Sequence, residues 1–288
     1  MKLVRFGALG AERPGLIDGA GALRDLSSVI GDLGPASVSL ESLARLGEID
    51  PAAAPLVAED AYGAGAPRLG APLRDAPNFF CIGLNYARHA AETGAAPPQE
   101  PVVFNKATSA LSGPFDPILL PPGAEQADWE VELGVVIGRE ATRISEEAAL
   151  GHVAGYLCVN DVSERHFQGE RGGQWVKGKS APSFGKIGPV LATADEVANP
   201  QTLRLWTRVN GEPAQDSSTE DMIFDVAMII SYLSHFMTLR VGDVIATGTP
   251  EGVGLGRTPP RFLRAGDVVE LGVEGLGEQR AIVEAVST

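Results

Sequence analysis

The sequence predicts a strand-rich α+β fold. The chain has 288 residues, of which 35 are glycine and 21 are proline, an above-average share that indicates many turns between short strands. From about residue 73 onward, short apolar segments separated by turn residues recur, among them NFFCIGLNY, EVELGVVIG and GYLCVNDVS. A single long amphipathic helix is predicted near the C-terminal third, so sheets are expected to dominate the core.

Two domains are expected. Residues 1–70 read as a small N-terminal domain with two short strands, LVRFG and RPGLID, and a helix-like stretch at residues 36–59. The segment YGAGAPRLGAP has the composition of a linker. Residues 73–288 hold the remaining strands and are predicted to form the larger domain.

The predicted helix carries a broad apolar stripe at helical spacing. Its members are Met222, Ile223, Val226, Ile229, Ile230, Leu233 and Phe236. Ser218 is the expected N-terminal cap, and His235 lies near the C-terminal end, where a positive charge favours the helix dipole. The helix is expected to pack on a sheet as scaffold.

Composition excludes several classes of function. A formal net charge of −14, with no basic cluster, argues against nucleic-acid and anionic-membrane partners. The chain has no apolar run of about 18 residues, and MKLVRFGALG lacks the features of a signal peptide, so a cytoplasmic location is expected. Cys81 and Cys158 lie in apolar strand-like segments and are predicted to be buried free thiols.

The segment DWEVELGVVIG places two carboxylates, Glu130 and Glu132, in an apolar strand. Because side chains alternate along a strand, residues two apart point to the same face. Buried like charges need compensation, and a hard divalent cation such as Mg²⁺, Mn²⁺ or Ca²⁺ supplies it through carboxylate oxygens. The alternative is a solvated polar edge before a core strand.

Four further segments carry side chains that are common in catalytic sites. They are His89 and Glu92 in NYARHAAETG, Asp161, Arg165 and Gln168 in NDVSERHFQ, Lys177 and Lys179 in KGKS, and Thr247 and Thr249 in GDVIATGTPEGVG. A histidine held by a carboxylate is a general-base arrangement. Taken singly, each segment also fits an ordinary surface pair, a solvated lysine or a simple turn.

Taken together, these segments resemble the fumarylacetoacetate hydrolase family. GLNYARHAAE, FNKATSAL, DWEVELGVVIG, GYLCVNDVSERHFQ, GKS and GDVIATGTPEGVG match in order and spacing across residues 73–280. The resemblance implies a mixed β-roll catalytic core with a small N-terminal domain, commonly assembled as a homodimer. It also implies that Glu130, Glu132 and Asp161 bind Mg²⁺, or Mn²⁺ or Ca²⁺ in its place.

The resemblance further assigns roles within the site. His89 and Glu92 correspond to a water-activating dyad, and Arg165, Gln168, Lys179 and Thr249 correspond to substrate contacts. Of these, Lys179 and Gln168 are the expected donors to a tetrahedral oxyanion. Residues 88–100 are predicted to form a lid over bound substrate.

The implied activity is metal-dependent hydrolysis of a carbon–carbon bond in a 2,4-diketo acid, which yields pyruvate and a second acid. The run SERHFQGERGGQWVKGKS resembles the branch that acts on 2,4-diketo-3-deoxy sugar acids such as L-2,4-diketo-3-deoxyrhamnonate or -fuconate. Alternatives are a fumarylpyruvate or acylpyruvate hydrolase, a decarboxylase or tautomerase on the same scaffold, and a non-catalytic binding module.

Several nearby residues receive no catalytic role. Asp128 continues the acidic alternation but is expected to support the site rather than bind the cation. His152 and His166 have no partner in the sequence pattern. Pro182 and Lys186 depart from the family pattern after GKS, so the shape of this loop is expected to differ.

Overall fold

The structure is a computed structural model that describes residues 1–286. Its strands in that range are β1 Lys2–Phe6, β2 Arg13–Ile17, β3 Leu23–Asp25, β4 Leu56–Ala58, β5 Phe79–Gly83, β6 Val102–Lys106, β7 Leu111–Ser112, β8 Ile118–Leu120, β9 Ala127–Asp128, β10 Val131–Ile137, β11 Val153–Asp161, β12 Ser163–Glu164, β13 Gly185–Ile187, β14 Leu191–Thr193, β15 Arg204–Val209, β16 Glu212–Ser218, β17 Val244–Ala246, β18 Val268–Val273 and β19 Gly277–Ala285. The α-helices are α1 Leu40–Gly47, α2 Ala87–Glu92, α3 Glu146–Ala149, α4 Arg165–Gly169, α5 Val176–Lys179 and α6 Val226–Phe236. The predicted strand-rich α+β fold is confirmed.

A large mixed sheet organises the described residues. It has 12 strands, ten of them in the order β4, β3, β2, β1, β14, β11, β10, β17, β5 and β6, with β13 and β7 attached beside β11. Strands β16, β15, β18, β19 and β8 form a second sheet, and β12 pairs with β9. Most neighbours are antiparallel, whereas β17 with β5, β13 with β7, and β19 with β8 are parallel.

The central strands β10 and β11 are buried along their whole length. Their side chains alternate between two hydrophobic clusters, so that Leu133 and Val135 pack on one side of the sheet and Val136 packs on the other. Strands covered on both faces read as nearly continuous apolar runs. Glu130 and Glu132, at the start of β10, are the exceptions to this apolar pattern.

The N-terminal strands continue the large sheet. β1 pairs with β14, with Lys2 opposite Ala192 and Leu3 opposite Leu191. Leu3 and Leu16 share a hydrophobic cluster with Val136 of β10. The strands before residue 70 thus belong to the same sheet as strands of the later part of the chain. The division of the chain into two separate domains stays a prediction.

The long helix begins later than predicted. α6 begins at Val226, and its N-terminal cap is Asp225, whose carboxylate accepts a hydrogen bond of 2.8 Å from the amide of Met228. Ser218 instead caps a 3₁₀ turn at Thr219–Asp221. The amide of Ile223 bonds to the carbonyl of Asn85, which keeps the residues before Asp225 out of the helix. The remaining stripe is buried except at its end, where Phe236 is 67% exposed.

Cys81 and Cys158 are buried and free, as predicted. Burial raises the pKa of both thiols, so neither has the low pKa of a reactive cysteine. No helix within residues 1–286 is long and apolar enough to cross a membrane.

The two residues that depart from the family pattern occupy different environments. Pro182 is exposed, whereas Lys186 is buried on β13. The ammonium group of Lys186 donates hydrogen bonds to the carbonyls of Gly113 (2.9 Å) and Asp116 (2.6 Å). Lys186 therefore fastens the turn after β7. Burial lowers its pKa to about 7, although the nearby Asp116 carboxylate opposes that shift.

Replacing Lys186 with methionine is expected to change how stability depends on pH. Since the pKa of Lys186 is lowered to about 7 in the folded chain and is about 10.4 in an unfolded chain, the unfolded state binds more protons between these values. The wild-type free energy of unfolding should therefore rise with pH, relative to K186M, by about 2 kcal/mol between pH 7 and 9. Urea titrations at several pH values measure this difference. Lys177→Met, which removes an exposed lysine, is the control. A difference between wild type and K186M that does not change with pH would contradict the prediction.

Candidate active site

Three carboxylates converge where β10 and β11 pair. Val131 lies opposite Asn160, and the amide of Asp161 bonds to the carbonyl of Glu130 at 2.9 Å. This register places Asp161 beside Glu130 and Glu132 on one face. One ligand oxygen from each of the three residues lies within 4.8 Å of the others, and all three side chains are buried.

Buried cations surround two of these carboxylates. The ammonium group of Lys179 lies 2.7 Å from Glu130 Oε2 and 2.8 Å from Asp161 Oδ2. Arg165 approaches Glu130 Oε1 at 2.6 Å, and Lys106 pairs with Asp161 Oδ1. Burial alone would raise the pKa of Glu130, but the charges of Lys179 and Arg165 together hold this pKa well below its ordinary value.

The negative charge of Glu132 has fewer partners than those of Glu130 and Asp161. Among residues 1–286, its carboxylate accepts one hydrogen bond, from the amide of Gly248 at 2.8 Å. Burial, reinforced by the charges of Asp161 and Glu130, raises the pKa of Glu132 well above its ordinary value. A carboxylate in this position gains strongly from a nearby positive charge.

The donor set therefore fits a hard divalent cation. Glu130, Asp161 and the neighbouring Asp128 each pair with one or more of the buried cations Lys106, Arg165 and Lys179. Glu132 forms no ion pair among residues 1–286. Three carboxylate oxygens at this separation are the ligands that Mg²⁺, Mn²⁺ and Ca²⁺ prefer, and their chemistry excludes a site built for a soft metal.

A histidine and a carboxylate form a pair beside this cluster. Helix α2 places His89 and Glu92 three residues apart, and Nδ1 of His89 lies 2.9 Å from Oε1 of Glu92. The second carboxylate oxygen of Glu92 accepts a hydrogen bond of 2.9 Å from the amide of Gly252. Because a carboxylate accepts, the pair leaves Nδ1 protonated and Nε2 free to accept a proton.

Asp128 holds two parts of the site in place through hydrogen bonds. Its Oδ2 accepts hydrogen bonds from Nε and Nη2 of Arg165 at 2.9 and 2.8 Å. The amides of Gly254 and Leu255 donate to its carboxylate at 2.6 and 3.0 Å. One buried carboxylate thus holds both the Arg165 guanidinium and the 252–256 loop that contacts Glu92.

Replacing Asp128 with asparagine is expected to lower the free energy of unfolding by about 3 kcal/mol, because it removes one member of a buried ion pair. Denaturant titration measures the change. The control Asp216→Asn breaks the exposed pair with Arg204, in which both side chains are more than half exposed, and should cost less than about 1 kcal/mol. Equal losses in the two variants would contradict the role of Asp128.

A cavity of about 300 Å³ brings the predicted site residues together. His89, Glu130, Glu132, Arg165, Gln168, Lys179 and Thr249 all line it. Glu92 and Asp161 lie directly behind the lining, in contact with His89 and Lys179. His152 and His166 do not line the cavity.

Two lining residues have hydrogen bonds that limit what they offer. Gln168 accepts a hydrogen bond of 3.2 Å from Arg165 through its amide oxygen, which leaves its NH₂ group as the donor. The hydroxyl of Thr249 donates to the carbonyl of Val131 at 2.9 Å and accepts from Gln215 at 2.9 Å. Thr249 therefore presents an acceptor or its methyl group rather than a donor.

Sequence reasoning missed some residues of the site. The sequence pattern gives no role to Lys106 in the FNKATSAL segment, yet this residue is fully buried against Asp161. A lysine that ends an apolar strand is a usable signal, since a buried ammonium needs an acidic partner. Phe104 and Trp175 also line the cavity.

Comparison with known proteins decides the family. The family model described as fumarylacetoacetate (FAA) hydrolase C-terminal matches residues 78–284. The chain belongs to the fumarylacetoacetate hydrolase family. A relative from Burkholderia cenocepacia strain HI2424, which carries only a provisional hydrolase name, is 54% identical over 280 residues and is matched over 97% of each chain.

Solved structures from this family share the fold. A fumarylacetoacetate hydrolase from Exiguobacterium antarcticum is 38% identical, with a TM-score of 0.84, over 99% of this chain and 100% of that one. A Mycobacterium abscessus protein described as a probable 2-hydroxyhepta-2,4-diene-1,7-dioate isomerase is 31% identical, with a TM-score of 0.83, over 100% of both chains. The predicted fumarylacetoacetate hydrolase-like core is thereby confirmed.

A further structure bears on the candidate metal centre. Maleylpyruvate hydrolase from Sphingobium sp. SYK-6, in complex with manganese(II) and pyruvate, is 28% identical, with a TM-score of 0.82, over 100% of both chains. The buried triad of the present chain is compatible with a divalent metal of this kind. The chain is therefore a fumarylacetoacetate hydrolase family member related to both hydrolases and isomerases.

Proposed function

We propose that this protein hydrolyses the C3–C4 bond of a 2,4-diketo acid and releases pyruvate and a second carboxylic acid. The observation that carries the proposal is one cavity lined by two carboxylates of the buried acidic triad, four substrate-binding candidates and the histidine of a histidine–carboxylate pair. The manganese and pyruvate bound by maleylpyruvate hydrolase support it.

The charged end of the cavity suits an anionic keto acid. Arg165 is held by Asp128 and Glu130, so its guanidinium is oriented before substrate arrives. Glu130, Glu132 and Asp161 would hold a divalent cation, which we take to be Mg²⁺, with Mn²⁺ and Ca²⁺ as alternatives. Such a cation supplies Lewis-acid polarisation of the C2 keto oxygen.

His89 is the proposed general base. With Nδ1 held by Glu92, its Nε2 removes a proton from the water that adds to C4. Lys179 and Gln168 then donate hydrogen bonds to the oxyanion on C4. When the C3–C4 bond breaks, its electron pair stays on C3, which takes a proton and becomes the methyl group of pyruvate, while C4 becomes the new carboxylate.

The substrate within this class is also a proposal. The ERGG-x-W run favours a 2,4-diketo-3-deoxy sugar acid such as the L-rhamnose- or L-fucose-derived compounds. Fumarylpyruvate and simple acylpyruvates are the alternatives. A cytoplasmic homodimer that acts on a small 2-keto acid, with no nucleic-acid or membrane partner, completes the proposal. A non-catalytic binding module is disfavoured, since His89, two carboxylates of the triad and the cations Arg165 and Lys179 line one cavity.

An isomerase is the second candidate, because the Mycobacterium abscessus neighbour is described as one. A decarboxylase or tautomerase would use the same keto-acid site without water addition. Incubation of the purified protein with acetylpyruvate and Mn²⁺ separates these reactions. Pyruvate and acetate in equal amounts would support hydrolysis. Carbon dioxide without pyruvate would indicate a decarboxylase, and an isomer of the substrate without pyruvate would indicate an isomerase or tautomerase.

A further inference from the structure

The cavity has an apolar end that the proposed chemistry does not use. Beyond the charged residues, its lining consists mainly of Ile82, Leu84, Ala95, Phe104, Trp175 and Leu255. A wall of this kind meets the part of the substrate that lies beyond the reacting carbon.

One aromatic ring of the apolar lining lies beside Lys179, and a second ring lies beside the first. The ammonium group of Lys179 lies 5.0 Å from the centroid of the Phe104 ring. The Phe104 ring in turn lies 5.2 Å from that of Trp175, with a tilt of 60°. The Phe104 ring therefore neighbours both Lys179 and Trp175, so a C4 substituent of a diketo acid held by Lys179 would lie close to these rings.

Gly83 explains how Trp175 reaches this position. A Cβ atom at Gly83 would lie 2.6 Å from Cζ3 of the indole. The indole thus packs directly on the backbone of β5, and it does so because residue 83 has no side chain.

The apolar end offers few hydrogen-bond partners to a substrate. Thr93 lines it, and its hydroxyl hydrogen is shared between the carbonyls of His89 and Ala90, at 3.0 and 3.1 Å. A hydroxyl group on the substrate would lose its hydrogen bonds to water and gain little in return. An alkyl or aryl group would gain from burial against the two rings.

We propose that Phe104 and Trp175 select 2,4-diketo acids with an apolar substituent on C4, an inference that rests on the hydrolytic function proposed above. A hydroxylated, sugar-derived substituent is disfavoured at the same position. This inference therefore favours the acylpyruvate alternative, with an alkyl or aryl tail, over the sugar acid that the ERGG-x-W run suggests.

The test compares kcat/KM for pyruvate release from matched acylpyruvates. From acetylpyruvate through 2,4-dioxohexanoate to 2,4-dioxononanoate, kcat/KM should rise roughly fourfold for each methylene group that becomes buried. Adding a 5-hydroxyl group to 2,4-dioxohexanoate should lower it roughly tenfold. If the hydroxylated compound is hydrolysed as fast as its parent or faster, the inference is overturned.

Substitutions at Trp175 and Gly83 test whether the aromatic lining causes the preference for an apolar substituent. Trp175→Gln should abolish the gain from the alkyl tail, and Gly83→Ala, which displaces the indole without removing it, should reduce the gain. The control Trp206→Gln changes a tryptophan of β15, outside this cavity, and should keep the full preference. A preference that persists in both Trp175→Gln and Gly83→Ala overturns the assignment. Failure of the wild type to cleave any of these acylpyruvates would refute the proposed hydrolysis itself, whereas cleavage without tail preference refutes only this inference.

Discussion

Replacing His89 with alanine is expected to lower kcat for pyruvate release by roughly 100- to 10,000-fold, the usual contribution of a general base. The expectation follows from the buried imidazole, whose Nδ1 is held 2.9 Å from Glu92 and whose Nε2 is left to accept a proton. His89 lies outside the acidic triad, so Mn²⁺ should still bind to the variant. Steady-state kinetics with acetylpyruvate and calorimetric titration with Mn²⁺ measure the two properties separately.

A matched control uses the exposed His235 near the end of α6, whose replacement by alanine should leave kcat unchanged. If His89→Ala binds Mn²⁺ and turns over acetylpyruvate at the wild-type rate, water activation belongs to another residue. Loss of both metal binding and turnover in His89→Ala would instead indicate that the histidine supports the metal centre.

Replacing Glu132 with glutamine is expected to remove divalent-cation binding. Glu132 is the least compensated carboxylate of the triad, and burial with the charges of Asp161 and Glu130 raises its pKa. The loss of affinity should exceed the roughly 10- to 100-fold caused by losing an outer hydrogen-bond partner of a metal ligand. The metal-free variant should be no less stable than the metal-free wild type, because the substitution removes a charge repelled by its neighbours.

Thermal unfolding with and without Mn²⁺ tests both parts of this prediction. Wild type and the exposed control Glu147→Gln should melt at higher temperature with Mn²⁺, whereas Glu132→Gln should not respond. An unchanged response to Mn²⁺ in Glu132→Gln would place the cation elsewhere. A large drop in the stability of the metal-free variant would show that the carboxylate has a structural role.

The sequence pattern predicts part of this site and leaves part of it open. The two-residue period of a strand is sufficient to place Glu130 and Glu132 on one face. The position of Asp161 depends on the pairing of β10 with β11, and that register cannot be read from either strand alone. Only the family resemblance supplies the third carboxylate.

Two other differences arise from tertiary contacts. Ser218 and Asp225 are both good caps, and the start of α6 is decided by the bond between Ile223 and Asn85, which are distant in sequence. Lys106 was overlooked because its partner Asp161 lies on another strand. Ser218 does cap a turn and Lys106 does end a strand, as their local sequences favour. Contacts with residues distant in sequence decide where α6 begins and why Lys106 is buried.

The central claim is that Glu130, Glu132 and Asp161 hold one divalent cation that the hydrolysis of a 2,4-diketo acid requires. The most direct test measures pyruvate release from acetylpyruvate by chelator-treated protein, before and after stepwise addition of Mn²⁺. We expect no release above background without metal and full activity near one Mn²⁺ per chain. Undiminished turnover in the chelator-treated protein would contradict the claim.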